Sequence, residues 1–155
     1  MTTKTVAKKR RSGASCTFDQ SKLVLRLDLT IPADAREIEP AVTRVMQVAG
    51  QQSCAKGKEF EVELSLHEAL ANAIKHGCRN DATKKVRLTL HCEESRGMLL
   101  IVRDPGQGFD VKSLSSPLVG ERVYASHGRG IYMINRLMDE VRFRKKGTEI
   151  RMRKR

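Results

Sequence analysis

The sequence predicts an α+β fold, a two-layer sandwich with helices packed on one face of a mainly antiparallel mixed sheet. Three observations carry this. Apolar residues recur at every second position in some segments and at helical spacing in others. The segments follow in the order β-α-α-β-β-α-β-β, which suits a helical layer on an antiparallel sheet. The chain has 155 residues, 39% of them hydrophobic, enough for one ordinary domain with a core of its own.

Each element has its own warrant. Residues 1–17 are basic, small and polar and read as a disordered leader, leaving 18–155 as a single domain. A first strand shows Leu23, Leu25, Leu27 and Leu29 alternating with Val24, Arg26 and Asp28. Pro32 and Asp34 mark a helix start, and Ile38, Val42, Val45, Met46 and Ala49 form the apolar stripe of a helix ending near Gly50. Pro40 argues for a kink or a later start. A second helix is expected over 59–76, stopping at Gly77 as a C′ glycine. Strands over 84–93 and 98–104 join through Glu94-Ser95-Arg96-Gly97 as a hairpin. Residues 105–128 are a long Gly-, Ser- and Pro-rich loop with a helical turn near Val111, and loops of that length in compact domains are usually functional or disordered. A short helix over 130–138 and a hairpin around Lys146-Gly147 complete the chain.

Charge and composition exclude several classes. The net charge is +12, but residues 12–141 hold 17 bases and 17 acids, so the excess belongs to the two ends. The longest apolar run, 98–102, is far short of a membrane span, and no apolar segment follows the basic N-terminus as a secretory signal would need. Cys16, Cys54, Cys78 and Cys92 lack CxxC spacing and read as reduced thiols of a cytoplasmic protein. His76-Gly77-Cys78 and His91-Cys92 match no structural-zinc spacing.

Three features break the pattern of plain structure. In the second helix, Glu68 and Asn72 stand one turn apart beside the apolar face, with His76 continuing the row. A carboxamide oxygen can ligate Mg²⁺ and a carboxylate can accept a proton, although a solvated helix face is the plainer reading of such a pair alone. Asp104-Pro105-Gly106-Gln107-Gly108-Phe109 follows a hydrophobic strand. Its glycines permit close backbone approach to a flat ligand, and its Asp can accept from an exocyclic amine; an ordinary turn has the same composition. Ser126-His127-Gly128-Arg129-Gly130-Ile131 is a glycine-rich entry to a helix, where backbone N–H groups can bind anions.

Together and in this order, the three features resemble the GHKL (Bergerat-fold) ATPases over roughly residues 21–153, a histidine-kinase-like ATPase fold. Residues 68–77 resemble the family's N box, 104–109 its first glycine box, and Gly128-Arg129-Gly130 its second; Gly147-Thr148 sits where the family has a Gly-Thr before the last strand. The small size, residues 68–77 and the run from Gly130 to Val141 resemble the bacterial anti-sigma-factor serine/threonine kinases within that family. The resemblance implies ATP and Mg²⁺ as cofactors. Asn72 would ligate the metal, and Glu68 would take the proton of a serine hydroxyl on a partner. Asp104 would hold the adenine amine, Gly106 and Gly108 would close around the nucleotide, and Thr148 would help the adenine site. Gly128 and Gly130 would bind phosphates beneath a lid over 110–127, with Arg122 or Arg129 near the γ-phosphate. It also implies a sigma factor and a STAS-type anti-anti-sigma protein as partners, and often a homodimer.

Two other readings remain open at this level. One is an ATP-gated protein-binding switch without kinase activity. The other is a basic nucleic-acid-binding module, against which stand the absence of Trp and only six Phe and Tyr residues for base stacking. In Val141-Arg142-Phe143-Arg144 and Ile150-Arg151-Met152-Arg153, base and apolar residues alternate as in a half-solvated strand.

Overall fold

The computed structural model describes residues 16–114 and 126–155. Most of the expected leader and residues 115–125 of the expected lid lie outside them. Five strands form one sheet in the order β1-β2-β3-β5-β4: β1 Leu23–Pro32, β2 Lys85–Glu93, β3 Gly97–Arg103, β4 Glu140–Arg144 and β5 Glu149–Lys154. All four pairings are antiparallel, so the sheet is not mixed. Among the described residues three α-helices pack on it: α1 Ile38–Gln51, α2 Glu59–Asn72 and α3 Ser126–Leu137.

Registration explains the layers. Leu29, Leu88, Val102, Ile150 and Phe143 are cross-strand neighbours in one row and face the helices. They meet Val62, Leu66 and Leu70 of α2 and Val42 and Val45 of α1 in a single core. Burial of these side chains is the main stabilising contribution, each about 1.5–3 kcal/mol. Pro40 neither kinks nor delays α1. It is the third helical residue, where a backbone N–H has no partner within the helix. Asp34 caps the preceding turn by accepting the Arg36 N–H at 2.9 Å.

The N-terminal segment runs across the other face of the sheet. Cys16 and Phe18 are buried against Leu99, Arg96 donates to the Thr17 carbonyl at 2.7 Å, and Arg151 donates to that of Cys16 at 3.1 Å. The Arg96 guanidinium lies 4.9 Å from the centre of the Phe18 ring.

The reading of four reduced thiols needs correction. Cys54, in the loop after α1, is disulfide-bonded to Cys92 near the end of β2, with Cα atoms 6.0 Å apart. The pair is 38 residues apart in sequence and meets only through packing, which is why no local spacing announces it. Cys16 and Cys78 are free and buried. Among the described residues no helix is long and apolar enough to cross a membrane.

Candidate functional site

A cavity of about 340 Å³ opens between α2, α3 and the helix-facing side of the sheet. That is at the lower end of the roughly 300–1,000 Å³ of small-molecule sites. Five segments supply its walls: the end of α2, the connection from there to β2, the loop after β3, the first half of α3 and the β4–β5 connection.

Asn72 is the last residue of α2. The helical path continues to Gly77, as expected, but its last turn is not α-helical. Ala73–Gly77 form a π-helical turn, closed by the Cys78 N–H donating to the Ala73 carbonyl at 2.9 Å. The wider turn ends the row of side chains one turn apart, yet His76 still lines the cavity. Nor does Gly77 serve as a left-handed cap; Arg79 and Asn80 take positive φ instead. A side chain at Gly77 would collide with the Asp104 carboxylate, and one at Gly106 with the Gly77 carbonyl. The two expected glycine-bearing segments therefore touch, backbone against backbone.

Asp104 stands at that contact. Its Oδ1 accepts the Gly106 N–H at 2.8 Å, and its own N–H donates to the Thr148 carbonyl at 2.9 Å. Burial pushes its carboxyl above the usual value, against the opposing pull of the Gly106 N–H. Burial, then the nearby Asp104 charge, likewise raises the Cys78 thiol. The Thr148 hydroxyl donates to the Lys145 carbonyl at 2.8 Å. Gly108, at φ 80°, lies so close to the Lys146 carbonyl that no side chain fits there. Phe109 meets Phe143 edge to face at 5.4 Å and forms an apolar wall beside Gly147.

At the α3 end the structure differs from the sequence expectation. The helix begins at Ser126 rather than at Gly130, so Gly128 lies within it rather than before it, and Gly130 is in its second turn rather than at its start. The surroundings of Gly128 lie outside the described residues. Gly130 packs on α2: a Cβ there would stand 2.7 Å from Glu68 Oε2 and 3.3 Å from Asn72 Nδ2. Glu68 is thus held against α3, one turn before Asn72, and is not itself among the residues that line the cavity. Arg129 is exposed, and Arg122 is outside the described residues.

Sequence reasoning missed the contributions of Arg79, Lys84 and Ile131 to the lining. No periodicity or motif marks them; the fold alone brings them in. Among the described residues no group of three or more His, Cys, Asp or Glu side chains converges on a point. The Asn72 amide oxygen, which lines the cavity, could contribute one ligand to a hard cation such as Mg²⁺, whose shell ligand oxygens and water would complete.

Comparison with known proteins agrees with this fold. The curated serine-protein kinase RsbW of Bacillus licheniformis is 33% identical over 88 residues, covering 53% of this chain and 54% of that protein. The chain thus spans about half the length of the curated relative it matches. The match to the histidine kinase-like ATPase domain family extends over residues 31–154, nearly all of the described sheet and helices. With that span and this fold, the chain belongs to the histidine kinase-like ATPase domain family.

Proposed function

We propose that the chain is a cytoplasmic Mg-ATP-dependent serine protein kinase that phosphorylates an anti-anti-sigma partner of the STAS type and sequesters a sigma factor. The observation that carries the reading is the two-ended cavity. At one end is a half-buried carboxylate framed by glycine backbone, Asp104 with Gly77 and Gly106; at the other is the Asn72 amide, with Glu68 one turn before it on α2 against Gly130 and outside the lining. The relative's name, serine-protein kinase, points the same way.

In this reading Asp104 accepts a hydrogen bond from the adenine amine, and Phe109 and Phe143 exclude water beside the base. The Thr148 carbonyl, by accepting the Asp104 N–H, holds that strand end in place. Asn72 would hold Mg²⁺, which when bound neutralises phosphate charge. Phosphoryl transfer then needs mainly positioning and charge balance. The partner's serine oxygen bonds to the γ-phosphorus, the bond from that phosphorus to the ADP oxygen breaks, and the serine proton passes to the Glu68 carboxylate. Gly130 keeps that carboxylate against α3.

Incubating the protein with γ-labelled ATP, Mg²⁺ and a candidate anti-anti-sigma protein tests this. Label is expected on a partner serine. Glu68→Gln should retain ATP but lose transfer by about 100-fold or more, the lower range for a general base. Asn72→Ala should weaken Mg-ATP binding. Transfer undiminished in Glu68→Gln overturns its assigned role, and ATP binding without transfer to any serine leaves a nucleotide-gated switch instead.

A further inference from the structure

The sheet face turned away from the helices carries a second concavity, of about 400 Å³, which the nucleotide reading does not use. The N-terminal segment 16–22 covers the other part of this face, over Leu99, and stops short of it. Two cross-strand rows floor the open part. One runs Thr30, Arg87, Arg103, Glu149, Arg144; the next runs Asp28, Thr89, Ile101, Arg151, Arg142.

The charges here are uneven in a telling way. Four arginines, Arg26, Arg87, Arg103 and Arg151, line the concavity against two carboxylates, Asp28 and Glu149. Both carboxylates are already engaged: Arg26 holds Asp28 at 2.7 Å and Arg151 holds Glu149 at 2.8 Å. Arg87 and Arg103 are left. They are direct cross-strand partners, both exposed, and among the described residues neither makes an ion pair. Like charges directly opposite on a sheet are destabilising, a cost that Glu149, across from Arg103 on β5 but already paired with Arg151, offsets only in part.

We propose that this face is a docking surface for an acidic segment of a partner protein, with Arg87 and Arg103 as a paired carboxylate clamp. Two adjacent guanidinium groups offer parallel donors to carboxylates, and the half-buried Ile101 gives an apolar seat beside them. The ion pairs of Asp28 with Arg26 and Glu149 with Arg151 flank the pair, so the unneutralised positive charge is confined to two adjacent guanidinium groups, too short a stripe for a continuous phosphate chain. A protein segment presents its charges discretely and can match so short a stripe. This surface lies on the opposite side of the sheet from the cavity of Asn72 and Asp104, so the proposal stands apart from the kinase reading.

The test uses the whole protein, a short fluorescein-labelled Glu/Ala peptide, and a thymidine oligonucleotide of equal charge, at about 150 mM salt so that distant charges are screened. Arg87→Gln/Arg103→Gln should weaken peptide binding about tenfold or more, as expected for losing hydrogen bonds to charged groups. Lys56→Gln/Lys58→Gln, which removes two exposed charges from the loop after α1, should change it less than about twofold. Arg87→Glu should weaken peptide binding and raise the melting temperature together, because it sets opposite charges across from each other; a merely structural role for Arg87 would not separate the two. Equal losses in both double variants would overturn the proposal in favour of diffuse attraction. Tighter binding of the oligonucleotide, lost in Arg87→Gln/Arg103→Gln, would make the face a nucleic-acid surface. A dimer seen by light scattering and broken by the same substitutions would assign it to a second copy.

Discussion

Asp104 is the residue on which the proposed nucleotide site depends most, and its environment makes a two-sided prediction. Its folded carboxyl ionises above the usual 3.8, so the unfolded chain releases that proton first. Stability therefore falls as pH rises from 3.8 through the folded value, and at neutral pH the folded state bears the whole cost. Asp104→Asn should melt higher than the parent at neutral pH while binding ATP roughly 10- to 100-fold more weakly, from one lost hydrogen bond to a charged group. His91 gives the opposite slope. It is buried on the outward face with both ring nitrogens lacking a partner among the described residues. Burial first, then Arg26, holds it below its ordinary 6.5; Asp28 opposes this, and Arg151 adds to it. As pH drops below 6.5 the unfolded chain takes up a proton that the folded chain refuses, so stability is lost. Melting curves from pH 5 to 8 should show this decline, and His91→Gln should flatten it.

Among the elements, the approach of α3 to α2 sets the carboxylate proposed as the base. Gly130→Ala would place a methyl 2.7 Å from Glu68 Oε2. The end of a flexible side chain yields more readily than backbone, so the fold should survive. Transfer to a serine should fall about tenfold or more while the melting temperature barely moves, since small misplacements are costly in catalysis. How well the elements could be read from sequence follows their physics. The first strand and the first two helices announce themselves because one face of each is more buried than the other: Leu25, Leu27 and Leu29 in β1, or Val62, Leu66 and Leu70 in α2. The π-helical turn at Ala73–Gly77 left no trace, because widening a helix by one residue changes hydrogen bonds and not composition. The start of α3 was misplaced by its glycines, whose task at Gly130 is close helix contact rather than a turn before the helix. Asp104, Asn72 and Thr148 were legible as motif residues, and they do line one cavity. Arg79 and Lys84 line it too, but only the fold says so.

At the scale of the molecule, two features emerge that no linear reading reaches. The Cys54–Cys92 bridge closes a 38-residue separation and ties the α1–α2 loop to the sheet. Loop-closure arguments assign such a bridge about 2–4 kcal/mol. Adding a reductant, or substituting Cys54→Ser with Cys92→Ser, should lower the melting temperature by several degrees. An unchanged melting temperature would show that the bridge carries no net stability. The second feature is the distribution of charge. Counted along the chain, the middle is neutral and the ends are basic. Folding undoes that division: Arg26, Arg87 and Arg103 from the middle join Arg151 from the C-terminal hairpin on one face.

The contact of Gly77 with Gly106 and Asp104 also has a consequence for descent. Gly106 is blocked by the Gly77 carbonyl and Gly77 by the Asp104 carboxylate, so neither can acquire a side chain while the other segment stays where it is. A lineage that keeps the cavity must keep both, and one that loses either has little left to preserve at the other. The two positions should therefore persist or vanish together, as a single inherited unit written in two places.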